Sequence, residues 1–222
     1  HGPEGLRNIA RRVHRLACTL AEALTGLGYT LGHNQFFDTI QVTEGPLDLD
    51  SIVALARAQR INLRATEPGW ISIALDETTD AAAVEALVRI FAPAHTPAPL
   101  LASIASSTPD RIPADLARQT PFLGHGVFNR YHSETEMLRY IRRLESRDLS
   151  LTTSMIPLGS CTMKLNATSE MAPVSWPEFS RLHPFAPKDQ ARGYGVLFAQ
   201  LEGWLSDITG FPAVSLQPNA GS

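Results

Sequence analysis

Prolines concentrate in one stretch of this 222-residue chain, at positions 93, 97, 99, 109, 113 and 121. Proline fixes φ, lacks an amide donor and is excluded from helix interiors and central strands. Residues 93–121 are therefore predicted to form an extended connection without regular helix or strand. Its apolar residues predict that the connection lies on a protein surface: Leu100, Leu101, Ile104 and Ile112. Two domains follow, at residues 1–92 and 122–222.

Hydrophobic periodicity predicts a small α+β domain over residues 1–92, in the order α-β-α-β-β-α. Apolar residues three and four apart predict the first helix, and apolar-polar alternation predicts the strands. Polar caps and turn pairs mark the ends of the elements. The elements are a helix over 4–27 ending at Gly28, a strand over 36–42, a helix capped by Asp48 or Asp50, a hairpin of 61–65 and 70–75 around Pro68-Gly69, and a helix capped by Thr79 or Asp80.

Residues 122–222 contain two predicted helices separated by an irregular stretch. Ser133 and Glu136 form a capping box that predicts a helix with Met137, Leu138, Ile141 and Leu144 on one side. Residues 151–187 are rich in Gly, Pro, Ser and Thr, and a stretch of this length is typical of a functional loop. A second helix is predicted from about Asp189 to Gly210, followed by a short buried strand over residues 213–216.

Charge and composition argue against several classes of protein. The net charge of -3 and the pI near 6.2 favour neither nucleic acid nor an anionic membrane as partner. No apolar run approaches the roughly 20 residues of a membrane span, and no signal peptide is recognised. Cys18 and Cys161 form neither a metal motif nor a disulfide framework, which predicts a reducing compartment and no metal site. Both chain ends are expected to be cut ends.

One loop concentrates chemically active side chains. Its thiol, hydroxyls, ammonium and amide predict a pocket for a small anionic substrate, whose carboxylate would meet the ammonium or the amide. The alternative is a polar loop with ordinary backbone hydrogen bonds. These residues are Ser160, Cys161, Thr162, Lys164 and Asn166.

The last residues predict either an anion site or a plain turn. A glycine-containing turn between a strand and a helix start presents N–H groups and a positive dipole end to phosphate. The candidate residues are Asn219, Ala220, Gly221 and Ser222. His125, His132 and His183 are isolated from one another, so structural histidines are favoured over metal ligands.

Several strings resemble the P-proteins of the glycine cleavage system, the pyridoxal-phosphate-dependent glycine decarboxylases. The strongest are FNRYHSETEM at residues 128–137 and SMIPLGSCTMKLN at residues 154–166. LHPFAP at 182–187 and QPNAGS at 217–222 are also similar, as are FFDT at 36–39 and ALDETT at 74–79. The resemblance runs nearly from end to end and is that of the fused long form of the family.

The resemblance implies a fold of α/β class, part of a pyridoxal-phosphate-dependent transferase of fold type I. Residues 1–92 are similar to the small C-terminal domain of the family's first half. Residues 93–121 would link the halves, and residues 122–222 would begin the second, cofactor-bearing half. A homodimer of the full-length chain is implied.

The resemblance also implies a reaction, namely glycine decarboxylation with transfer of the aminomethyl group to the lipoyl arm of H-protein. Pyridoxal 5'-phosphate would be held at residues 219–222, and glycine by the residues of the 160–166 loop together with His183. The family's Schiff-base lysine lies in a His-Lys-Thr string, and neither Lys164 nor Lys188 does. No catalytic residue is therefore expected in this chain, which is expected to be inactive alone. A bacterial, cytoplasmic oxidoreductase is implied.

Two other interpretations stay open. The chain could derive from another fold-type-I enzyme, such as an aminotransferase, or it could be a non-catalytic segment that supports a dimer. The 160–166 loop argues against a purely structural role. A decarboxylation assay with a lipoyl acceptor would distinguish the enzymes.

Overall fold

The computed structural model describes residues 1–66, 69–94, 96, 101–109, 111–147 and 167–217. They form helices and one small antiparallel sheet, a mixed α and β architecture. The chain divides into two compact units, His1–Asp148 and Leu149–Ser222.

Helix α1, Gly2–Gly26, is the longest element of the first unit, and it confirms the predicted first helix. Pro3 lies in its first turn, where the missing amide costs nothing. Its buried face includes Ala17, Leu20 and Leu24. The chain leaves the helix through Gly28 at φ +91°, a backbone conformation that glycine adopts without strain.

The sheet has the strand order β1-β2-β4-β3, and all neighbours are antiparallel. The strands are β1, Thr30–Leu31; β2, Thr39–Glu44; β3, Arg64–Thr66; and β4, Trp70–Ala74. The predicted hairpin is confirmed, because Thr66 pairs with Trp70 and Arg64 with Ser72. Strand β2 begins three residues later than predicted. Strand β1 was missed, since two residues are too few for an alternating pattern.

Aspartate caps begin the other two helices that pack on the sheet. Helix α2, Leu49–Ala58, starts where Asp48 accepts a 2.8 Å hydrogen bond from the amide of Ser51. Helix α3, Ala81–Phe91, starts where Asp80 accepts one of 2.8 Å from the amide of Ala83. Each cap satisfies an amide that has no partner within its helix. Of the predicted alternatives, Asp48 and not Asp50 caps α2, and Asp80 and not Thr79 caps α3.

The core lies between the helices and one face of the sheet. Ile40 and Val42 of β2 and Ile71 and Ile73 of β4 are buried, while the residues between them are half-buried or exposed, as expected for a sheet covered on one side. Tyr29 closes the core, because its hydroxyl donates a 2.8 Å hydrogen bond to the carbonyl of Phe91 and the two rings meet edge to face at 5.2 Å.

The prediction that residues 93–121 contain no regular helix was wrong. Helix α4, Leu101–Ser107, forms between Pro99 and Pro109 and contacts α1. Its seven residues contain no proline, so the restriction that proline imposes does not act within them. The prediction that the stretch lies on a surface is confirmed for Leu101 and Ile104, which pack against the core.

The N-cap predicted at Ser133 is confirmed, while the Glu136 carboxylate bonds the hydroxyl of Ser133 and not its backbone amide. The Ser133 hydroxyl accepts a 3.3 Å hydrogen bond from the amide of Glu136 and donates one of 3.1 Å to its carboxylate. It opens helix α5, Glu134–Glu145. The apolar side of α5 is exposed in this unit: Met137, Leu138, Ile141 and Leu144.

The second unit is helical over its described residues. Helices α6, Thr168–Met171, and α7, Pro177–Ser180, precede α8, Arg192–Thr209. Gly210 ends α8 at φ +73°, as predicted. The prediction of a buried strand over residues 213–216 was wrong. These residues are irregular, and none of them is buried. A strand needs a neighbour for its amides and carbonyls, and the described part of this unit contains no other strand.

Candidate functional site

Most of the predicted site lies outside the described residues. The predicted substrate residues concerned are Ser160, Cys161, Thr162, Lys164 and Asn166, and the predicted phosphate residues are Asn219, Ala220, Gly221 and Ser222. Their roles therefore stay predictions. His183 is the one predicted site residue that the structure describes.

His183 belongs to an exposed turn between α7 and α8. Its Nδ1 accepts a 3.0 Å hydrogen bond from the amide of Phe185, and its carbonyl accepts one of 2.9 Å from the amide of Ala186. With Nδ1 acting as an acceptor, Nε2 is the ring nitrogen left to meet a ligand. The turn thus fixes the tautomer of His183, which is an exposed residue.

A row of aromatic contacts holds the turn of His183 between its two helices. The rings of Phe179 and Tyr194 meet edge to face at 5.9 Å, and the Tyr194 hydroxyl donates a 2.8 Å hydrogen bond to the carbonyl of Phe179. Trp176 and Phe198 extend the row at ring distances of 6.3 and 5.6 Å. The start of α8 is thereby fixed to the end of α7.

A second cluster, centred on the buried His14 of α1, was missed by sequence reasoning. The Nδ1 of His14 lies 2.7 Å from the carbonyl oxygen of Phe37, and Nε2 accepts a 3.1 Å hydrogen bond from the amide of Arg111. The ring therefore carries its proton on Nδ1, which donates to Phe37. The four-residue spacing of His14 and Cys18 on one helix face was the available signal.

Cys18 lies beside this imidazole, with its Sγ 3.4 Å from Nε2 of His14. A thiol next to an imidazole is the pairing used by cysteine nucleophiles. Here the side chain is 1% exposed and Nε2 already accepts a backbone amide. The pair therefore joins α1 to two loops and does not present a nucleophile to a substrate from solvent.

Arg111 completes the attachment of the connection to α1. Its guanidinium forms an ion pair and a hydrogen bond with Glu22 and a 3.4 Å hydrogen bond with the carbonyl of Asn34. It also lies 5.6 Å above the ring of Phe36. One side chain thus ties residues far apart in sequence to a single side of the helix.

Asp76 organises the turn that leads into α3. Its Oδ1 accepts hydrogen bonds from the amides and the hydroxyls of Thr78 and Thr79, at 2.7 to 3.2 Å. These bonds, led by the Thr78 hydroxyl and then its amide, hold the pKa of Asp76 below its ordinary value. Arg12 secures the same turn by donating to the carbonyls of Glu77 and Thr79 at 2.6 and 3.0 Å. The turn is structural.

Asp76→Asn is expected to lower the free energy of unfolding at pH 7, and the loss should fade as the solution is acidified. A carboxyl whose pKa is depressed by folding stabilises the fold above its unfolded pKa, roughly 3.9, and loses that contribution as pH falls through its folded pKa. Urea unfolding of both proteins between pH 7 and 3 measures the difference. If the two proteins differed in free energy of unfolding as much at pH 3 as at pH 7, the ionisation of Asp76 would contribute nothing to stability. Asp115→Asn, an exposed aspartate outside the turn, is the control.

The described part of the chain contains neither a candidate metal site nor a helix that could cross a membrane. No group of three or more His, Cys, Asp or Glu side chains there could hold a metal ion. None of the helices formed by these residues has the length and apolar content needed to cross a bilayer.

Comparisons with known proteins match a family over the first part of the chain and curated relatives over all of it. The family described as "Glycine cleavage system P-protein" matches residues 1–91. The full chain is 55% identical to glycine dehydrogenase (decarboxylating) of a Nostoc species, 53% to that of a Synechocystis species and 54% to that of a Bradyrhizobium species. The chain spans 23% of the length of each of these curated relatives. The resemblance predicted from the short strings is confirmed.

Proposed function

We propose, from the premise that this chain belongs with the P-proteins of the glycine cleavage system, that the full-length protein decarboxylates glycine. The aminomethyl group that remains is transferred to the lipoyl arm of an H-protein. The observation that carries the proposal is 55% identity over the whole chain to a glycine dehydrogenase (decarboxylating). Two further relatives with the same name match at 53% and 54%.

The fold proposed for the full-length protein is fold type I of the pyridoxal-phosphate enzymes. Residues 1–92 form the small domain of its first half, residues 93–121 link the halves, and residues 122–222 begin the second half. The buried cluster supports the first assignment, because its members run from Ala17 to Phe91 and join three helices to one sheet. The linker is anchored where Arg111 meets His14.

Pyridoxal 5'-phosphate is the proposed cofactor, with its phosphate at Asn219, Ala220, Gly221 and Ser222. The donor set of these residues fits a phosphate: backbone N–H groups beside a glycine, a hydroxyl and a side-chain amide. When bound, the cofactor supplies an electron sink for the carbanion that decarboxylation leaves, while the protein supplies binding, orientation and charge.

Glycine binding is assigned to the loop that holds Ser160, Cys161, Thr162, Lys164 and Asn166, with His183 nearby in sequence. Lys164 provides the positive charge that a carboxylate requires, and Asn166 provides amide donors. His183 is supported by its geometry, because Nδ1 is engaged with Phe185 and Nε2 is left for the ligand.

The first experiment measures exchange of glycine carboxyl carbon with bicarbonate by the full-length protein, with and without lipoylated H-protein. Exchange that requires H-protein supports the proposal. An aminotransferase would instead convert the cofactor to its amine form when given an amino acid, without any release of carbon dioxide. The same preparation, studied by analytical ultracentrifugation, tests the proposed homodimer.

Lys164→Met in the full-length protein is expected to raise the glycine concentration at half-maximal rate, while the cofactor stays bound. Loss of a charge-assisted hydrogen bond to the carboxylate costs roughly 1.5–3 kcal/mol, which corresponds to about a 10- to 150-fold increase. Glycine kinetics and cofactor absorbance are measured together.

Lys188→Met is the matched control, because Lys188 is the only other lysine of the chain and is exposed in the short helical turn Lys188–Gln190. Its glycine kinetics should equal those of the parent protein. If Lys164→Met and Lys188→Met had the same glycine kinetics, Lys164 would be an ordinary loop residue without a role in glycine binding.

A further inference from the structure

We propose that a cavity beside α1 binds a small carboxylate that carries an apolar or aromatic body. The cavity has a volume of about 270 Å³ and lies between α1, the residues before β2 and the connection that follows α4. The residues that matter are Arg11, His14 and Arg15 of α1, with Phe37 and Thr108 from the other two segments. None of them belongs to the proposed glycine or cofactor residues.

The helical spacing of α1 places these side chains on one wall. Positions 11, 14, 15 and 18 are three and four residues apart, so they share a face of the helix. His14 and Cys18 form the buried floor of this wall, and Arg11 and Arg15 are exposed at its mouth. The cavity thus has a mixed interior, in which Phe37 and Ile112 are apolar and His14 and Thr108 are polar, and a cationic entrance.

The two entrance guanidiniums are available to an anion. Arg11 has a single acidic neighbour among the described residues, with 4.0 Å between its Nη1 and a Glu4 carboxylate oxygen. Arg15 makes no ion pair with any described residue. By contrast, Arg12 is engaged with two backbone carbonyls. A ligand carboxylate between Arg11 and Arg15 would gain a charge-assisted hydrogen bond from either side chain.

The ring of Phe37 forms an apolar side of the cavity and is held in place beside His14. The ring of Phe37 stacks on the His14 imidazole with centroids 5.9 Å apart and planes 2° apart. His14 keeps this geometry because its nitrogens contact the carbonyl of Phe37 and the amide of Arg111. Ile112 adds further apolar surface. A flat or branched hydrocarbon body therefore meets a preformed surface, which lowers the ordering cost of binding.

The size of the cavity limits the ligand. Pockets for drug-sized molecules span roughly 300–1,000 Å³, so about 270 Å³ accommodates a single ring or a short branched chain. Phe37 and Ile112 favour a ligand with an apolar body, and the arginines at the entrance favour a negative charge over a positive one. A small monocarboxylate is the class that satisfies both.

Benzoate is the probe, titrated into the 222-residue chain and followed by calorimetry and by chemical shifts of labelled protein. Benzamide has the same shape without the charge and should bind at least roughly tenfold more weakly, the difference expected for one lost charge-assisted hydrogen bond. Arg15→Gln should weaken benzoate roughly tenfold and leave benzamide unchanged. Arg64→Gln, an exposed arginine on β3 that does not line the cavity, should change neither affinity.

A filling variant tests the location of the ligand. Ala10 lines the cavity and is half-buried, so Ala10→Leu places a larger side chain in the space, and circular dichroism checks that the chain still folds. Benzoate binding should be lost in this variant. The proposal is overturned if benzoate fails to bind, if benzamide binds equally well, or if either cavity variant binds benzoate as tightly as the parent chain. The proposed decarboxylase function would survive that result, because it uses none of these residues.

Discussion

Gly45→Ala is expected to destabilise the first unit strongly. A Cβ at this position would lie 1.9 and 2.2 Å from two ring carbons of Tyr29, well inside van der Waals contact. Tyr29 cannot move aside cheaply, because it is 3% exposed and bonded to the carbonyl of Phe91. Losing that bond and part of the ring's burial would cost about 2–4 kcal/mol.

Urea unfolding followed by circular dichroism measures this effect in the 222-residue chain. The control is Gly26→Ala at the end of α1, where an added Cβ meets nothing within 4 Å. This variant should lose no stability, and it should gain up to about 1 kcal/mol from the better helix propensity of alanine. An unfolding midpoint for Gly45→Ala equal to that of the parent chain would mean that Tyr29 packs elsewhere.

Gly221→Val in the full-length protein is expected to cause the largest loss of cofactor. The proposal places the phosphate at backbone amides next to Gly221, where a branched side chain would block close approach. Ser222→Ala removes one charge-assisted hydrogen bond and should weaken retention roughly tenfold to a hundredfold. Gly221→Val should exceed that range, and Gly221→Ala should fall between the parent protein and Gly221→Val.

Cofactor loss is followed by dialysis and absorbance. Ser215→Ala is the control for Ser222→Ala, because Ser215 is exposed a few residues earlier and its hydroxyl accepts only a local hydrogen bond from the amide of Gln217. It should retain the cofactor like the parent protein. Full retention by Gly221→Val would put the phosphate site somewhere else.

Local features of the fold were predictable from the sequence. The caps at Asp48, Asp80 and Ser133 each bond an amide three residues ahead, so each signal is contained within four residues. The hairpin was similarly local, because its strands are joined by a short turn. Interactions of this range do not depend on how the rest of the chain packs.

Features that depend on distant partners were not predictable. Helix α4 is stabilised by contacts with α1, far from it in sequence. The His14 cluster joins residues separated by 23 and 97 positions. The strand predicted at 213–216 fails for a related reason, since apolar residues alone do not supply a pairing partner.

The candidate site was predictable only through resemblance to a family. Side-chain chemistry at residues 160–166 and 219–222 left both a pocket and an ordinary loop open, because hydroxyls, amides and glycines serve turns as well as ligands. The short family strings carried the functional assignment, and identity over the whole chain supports it. The cavity beside α1 has no such string, since it is assembled from three separate segments.

The two outer strands of the sheet have a consequence for solubility. Strand β1 is two residues long and β3 is three, so each edge offers few unpaired amides and carbonyls. Another polypeptide that tried to add a strand there would find little backbone to pair with, and it would meet the charged Arg64 on the β3 side. Within the described sheet, short edges thus oppose the edge-to-edge association that leads to β-rich aggregates.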